Sequence, residues 1–156
     1  MPKLIEQEHF LNPFFALLEE TFETHHGIFL DKGTSFFETL ETINAEQASI
    51  PVGGKCASPA AQVTHVIFYL ELLERILLTS AAPPVDWGEI WRTVEDVSPA
   101  QWDALRTSLK QAYARITQLF RDTPVWNEDA ISSALAVVVH TAYHLGEIRQ
   151  ALCVLR

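Results

Sequence analysis

The chain has 156 residues, 48% of them apolar and 20% charged, with 11 Lys+Arg against 20 Asp+Glu for a formal charge of −9. That length suits one domain over residues 1–156, and the apolar share supplies a core rather than a disordered chain. Acidity of this size argues against nucleic acid and anionic membrane surfaces as partners, because both are bound through clustered Lys and Arg. Cys56 and Cys153 are too few for a disulfide scaffold and form no CxxC or CxxH pair, so a reducing cytoplasm is expected and a thiolate zinc site is not. The first residues lack the apolar stretch of a signal peptide, and the apolar run near 134–139 is far short of the roughly 20 residues of a membrane span.

Glycine and proline mark the joints, and the segments between them read as helices with no alternating strand pattern. A first helix is expected over about Glu8 to His26, with Leu11, Phe14, Phe15, Leu18 and Phe22 on one face, Pro13 in its first turn and Gly27 as its stop. A shorter helical piece follows, about Ser35 to Ile43. The second long helix opens at Ser58-Pro59, a hydroxyl N-cap followed by a proline whose missing N–H costs nothing at the first helical position. It runs to about Thr79, before Pro83-Pro84, and is apolar on nearly every side, so burial on more than one face is expected.

Ser98-Pro99 starts the third long helix by the same cap logic. Its stripe of Trp102, Leu105, Leu109, Ala112, Ile116 and Leu119 is spaced 3, 4, 3, 4, 3, the seam of a left-handed bundle. A fourth covers about Asp129 to Val154. The expected architecture is all-α: a four-helix bundle with a short extra helix between the first and second long ones.

The chemistry concentrates in the last helix. His140 and His144 are four residues apart, so their imidazoles leave one face a turn apart, and that face also carries Val137, Ile148 and Ala151. Two imidazoles pointing into an apolar interior need partners, since an unsatisfied buried polar group costs about 1–3 kcal/mol. One divalent ion satisfies both. His65 lies in the other strongly apolar helix, beside Val63, Val66 and Ile67. Alone it reads as a hydrogen-bonded core histidine; with the pair it completes three neutral imidazole ligands with open positions, a catalytic rather than a structural arrangement.

The other candidates are weaker. Glu6-x-x-His9 and Glu23-x-x-His26 match the Glu-x-x-His element of di-iron bundles, but both lie on the first helical stretch, about 25 Å apart, where facing helices are required. His25 and His26 flank Gly27 at a helix end and suit a surface or C-cap role, with a place on a pocket rim left open. Glu147, three residues after His144, reads either as an outer carboxylate or base at the metal or as a surface partner of Arg149 or Lys110. Tyr69 reads either as a donor to a metal ligand or as a core tyrosine. Cys56 sits two residues before a helix start that could lower its pKa, against a quiet loop thiol. Gly53-Gly54-Lys55 lacks the phosphate-loop spacing, and no Gly-x-Ser-x-Gly elbow is present.

Ser58-x6-His65, the Asp86-Trp87 turn after Pro83-Pro84, and His140-Thr-Ala-Tyr-His144-Leu-Gly-Glu147-Ile together resemble the DinB-like superfamily over roughly Phe14 to Leu152. The resemblance implies a four-helix bundle holding a divalent metal, often nickel or zinc, on His65, His140 and His144. It also implies a dimer and, in members with known activity, transferases and isomerases that use low-molecular-weight thiols. Family sequences often carry Gln where this chain has Glu147. The expectation is therefore a metal-dependent enzyme, a thiol transferase or hydrolase. A non-catalytic metal- or ligand-binding module is the alternative from a different class. A purely structural helical protein with hydrogen-bonded core histidines is the third reading.

Overall fold

The computed structural model describes residues 5–54, 56–94 and 96–155. Among these the chain is all-helical, without strands, and forms α1 (Gln7–Phe22), α2 (Phe36–Glu41), α3 (Ala45–Ser49), α4 (Pro59–Thr79), α5 (Glu89–Thr93), α6 (Pro99–Arg121) and α7 (Glu128–Leu152). No helix among the described residues is long and apolar enough to cross a membrane. The four long helices α1, α4, α6 and α7 carry most of the core, and the short ones pack around them.

Helix starts follow local chemistry. The Ser58 hydroxyl accepts the Ala61 N–H at 3.2 Å, and Pro59 occupies the first turn of α4. At α6 a capping box closes: Ser98 Oγ accepts the Gln101 N–H, and Gln101 Oε1 accepts the Ser98 N–H at 2.8 Å. Asn127 caps α7 on Ala130 N–H at 3.0 Å. These three starts fall where the sequence patterns place them.

Helix α4 is the hub. It packs against α6, α7, α3 and α5, which buries Val63, Val66 and Leu70 fully and realises the expected burial on more than one face. On α6 the buried set is Trp102, Leu109, Ala112, Tyr113, Ile116 and Phe120, while Leu105 and Leu119 are only half-buried. The seam thus turns slightly from the expected stripe, toward Tyr113 and Phe120. These two rings meet aromatic side chains of α1: Tyr113 stacks on Phe22 with centroids 4.5 Å apart, and Phe120 meets Phe14 edge-on at 5.2 Å.

The N-terminal half departs from expectation in three ways. Helix α1 stops at Phe22, four residues short of His26, because Glu20 reaches past its end. The Glu20 carboxylate is 0% exposed and accepts backbone N–H groups from His26, Gly27, Ile28 and Phe29 at 2.8–3.1 Å. Gly27, at φ 78°, supplies the left-handed turn that aims those N–H groups at it. The expected helix stop is therefore the middle of a carboxylate-bound loop. Second, Pro13 lies in the second turn of α1 rather than the first; its side is exposed, so the carbonyl it leaves without a donor meets water. Third, the expected piece over Ser35 to Ile43 is α2, and a further short helix not expected from the sequence, α3, follows it. Asn44 breaks them apart by capping Gln47 N–H at 2.9 Å, with Gln47 reaching back to Asn44 N–H at 3.1 Å.

Trp102 ties this region to α6. Its indole is 2% exposed and its Nε1–H donates to the Ile43 carbonyl at 2.8 Å. Trp102→Phe leaves that buried carbonyl without its donor and a gap beside it. Urea unfolding should show a loss of about 1–3 kcal/mol, and an unchanged midpoint would mean that water replaces the indole.

Candidate metal centre

His65 projects from α4 and His140 and His144 from α7 into one cluster, with a ligand atom of each within 4.8 Å of the other two. His65 is 7% and His144 6% exposed, and His140 is half-buried. The Nε2 atoms of His65 and His140 face each other at 3.0 Å. The ring centroids of His144 lie 4.7 Å from His65 and 4.5 Å from His140. The local reason is the α7 periodicity: Val137, Thr141, His144, Ile148 and Ala151 are its buried face, and the His pair rides along it against α4.

No family model, curated protein or solved structure matches this chain.

Burial sets the charge of the three rings. Desolvation pushes His65 down to about 4, with the neighbouring His144 adding to the fall and Glu147 opposing it. His140 falls to about 3 by desolvation and by its two His neighbours, and His144 is lowered by desolvation against the pull of Glu147. All three imidazoles are neutral at neutral pH, the form that donates a lone pair to a metal.

Two devices hold the rings. His144 Nδ1 lies 2.5 Å from Gln62 Oε1 and 3.0 Å from Glu147 Oε2. His65 and His140 have no hydrogen-bond partner at Nδ1 among the described residues and are held by stacking instead. Trp91 of α5 lies over His65 with centroids 4.5 Å apart and planes at 27°, and Tyr69 lies on His140 at 3.7 Å and 18°. Trp87 flanks the same mouth against His65, Phe68 and Tyr69.

These residues fit a divalent ion. The 3.0 Å between two Nε2 atoms is close to the edge of about 2.9–3.4 Å spanned by two nitrogens on one ion at about 2.0–2.1 Å each. Without an ion one ring donates an Nε2–H to the other across this gap; with lone pairs on both Nε2 atoms the gap needs a shared cation. The donor set of three neutral nitrogens suits nickel and zinc better than magnesium or calcium, which take oxygen.

The remaining candidates separate cleanly. Glu147, half-exposed, lies against His144 and not against its expected surface partners: Lys110 pairs with Glu41 and Arg149 donates to Thr39. Tyr69 contributes its ring face, and burial raises its hydroxyl pKa. His26 pairs with Glu19 at 3.2 Å and His9 with Glu6 at 3.8 Å, both exposed and outside the cluster, as is His25. Cys56 and Cys153 are exposed free thiols. Two contributors escape the sequence patterns, Gln62 and Trp91. Gln62 had a readable signal, since it stands three residues before His65 and so shares its face of α4. Trp91 had none, because α5 is a five-residue helix without a marked start.

Proposed function

We propose that this protein is a metal-dependent enzyme of the DinB-like type, a four-helix bundle whose His65, His140 and His144 hold nickel or zinc. The observation that carries the reading is the convergence of three neutral imidazoles from α4 and α7, two buried and one half-buried, with no fourth protein ligand among the described residues. The order of the three His and the His-x-x-Tyr-His-x-Gly-Glu-Ile run add to it. When bound, the ion supplies Lewis acidity that lowers the pKa of a small donor and polarises an electrophile.

The chain's own part is to position and exclude. Gln62 and Glu147 hold His144; Tyr69 and Trp91 brace the other two rings and cover them with apolar surface. The substrate class favoured is a low-molecular-weight thiol, transferred or used in hydrolysis. The two exposed cysteines suit a reducing cytoplasm. Exposed Leu135, Val139 and Tyr143, at i, i+4 and i+8 on α7, offer an apolar stripe for a homodimer.

The test is S-conjugation of monochlorobimane with bacterial thiols by protein loaded with nickel or zinc. Turnover that disappears in His65→Ala supports the enzyme. Stoichiometric metal without turnover on any thiol moves the reading to a non-catalytic metal-binding module.

A further inference from the structure

His144 differs from its two companions in one respect: its outer nitrogen is spoken for before any ion arrives. Nδ1 faces two oxygens, Gln62 Oε1 from α4 at 2.5 Å and Glu147 Oε2 from its own helix at 3.0 Å, in a site where the ring is 6% exposed. A carboxylate oxygen only accepts, so Nδ1 carries the hydrogen and Nε2 keeps its lone pair. His65 and His140 share their Nε2 contact at 3.0 Å and lack partners at Nδ1. One of those two Nε2 atoms therefore carries the hydrogen of the metal-free contact, and that ring must move its proton to Nδ1 before both can ligate. His144 is the one ring whose ligating tautomer is fixed by acceptors outside the cluster.

We infer that Gln62 and Glu147 form a two-acceptor clamp that preselects the ligating tautomer of His144 and makes it the anchoring ligand, each acceptor able to serve when the other is lost. This rests on the metal-centre reading, and it names Gln62 and Glu147 as positioning residues acting through His144. The carboxylate adds a second effect. An imidazole whose Nδ1–H donates to a charged oxygen is a stronger electron donor at Nε2 than one bonded to an amide. Because both acceptors address the same N–H, their losses do not multiply independently: removing either leaves the tautomer fixed, and removing both frees it.

Two measurements test this. Long-range 1H–15N correlation spectra of the metal-free chain should show His144 as the Nδ1–H tautomer in the wild type, in Gln62→Leu and in Glu147→Gln. In Gln62→Leu/Glu147→Leu they should show it mixed. Zinc affinity by chelator competition should fall less than about 2-fold in each single variant and about 10–100-fold in the double. Glu147→Gln, which keeps an acceptor oxygen but not its charge, should keep the tautomer and lose only the added donor strength of the carboxylate. An Nε2–H tautomer for His144 in the wild type overturns the clamp, as does a folded double variant that binds zinc like the wild type. Single losses whose product equals the double loss overturn the sharing of one N–H. Should the double variant fail to fold, the wild-type tautomer still decides. Should the wild type bind no zinc, the metal-centre reading falls while the tautomer spectra still judge the clamp.

Discussion

His140→Ala or His144→Ala, purified alongside the wild type and titrated with zinc or nickel, should retain less than about a tenth of an equivalent where the wild type holds about one. Two ligands on one helix, or one from each, cannot replace three convergent nitrogens. Nickel added to the wild type should also quench Trp91, whose indole stacks on His65 at 4.5 Å, and should leave the variants unquenched. The folding cost in the metal-free state is expected to be small for His140→Ala. That ring is half-buried with an orphaned Nδ1, so its loss removes one unsatisfied polar atom, which offsets part of the lost packing on Tyr69 and the lost Nε2 contact with His65. Stability in the presence of metal separates the states further. At zinc about 100-fold above its Kd the wild type gains about 2.7 kcal/mol, and a variant without the site gains nothing. Full-strength binding by both variants would remove the centre from this protein.

The second large effect lies away from the histidines. Glu20→Gln keeps the side chain's size but presents one oxygen and an NH2 to four backbone N–H groups that a carboxylate now accepts. Donor faces donor in a buried setting, and a loss of about 2–4 kcal/mol is expected in urea unfolding. The pH dependence gives the sharper signature. Burial by itself would raise the Glu20 pKa, but the four N–H bonds outweigh it and hold the carboxyl below its ordinary value of 4.5. A carboxylate depressed in the folded state stabilises above the unfolded pKa, and that stability is lost as pH falls through the folded one. The wild type should therefore weaken on acidification below about pH 4.5 more steeply than Glu20→Gln. Parallel acid profiles would show that Glu20 does not carry the loop.

Much of the architecture is legible from punctuation. Ser58-Pro59 and Ser98-Pro99 start α4 and α6 at the expected residues because a hydroxyl cap and an N1 proline act through neighbours in sequence. The three-His cluster is legible for a related reason: i, i+4 spacing on a helix is local geometry, and the apolar neighbours of His65 betray its burial. What escapes is what depends on distant or exceptional partners. Nothing local to Glu20 marks it as buried, and only the returning loop makes its burial favourable. Trp91 reaches His65 across 26 residues on a helix too short to show a period. Glu147 has an expected surface partner in Arg149, and the structure gives that arginine to Thr39 instead.

The sequence separation within the centre has its own consequence. His65 and His140 stand 75 residues apart, with α5 and α6 wholly between them, and they meet only when α7 is seated on α4. An ion held by both helices adds its binding free energy to every opening that parts them and to no other. Fraying of the α1 start would proceed at its own rate, with amide exchange there indifferent to metal. Exchange along the facing turns of α4 and α7 would slow in proportion to occupancy. Metal saturation would then grade the chain into a tightened half and an unaltered one, without moving a single backbone atom.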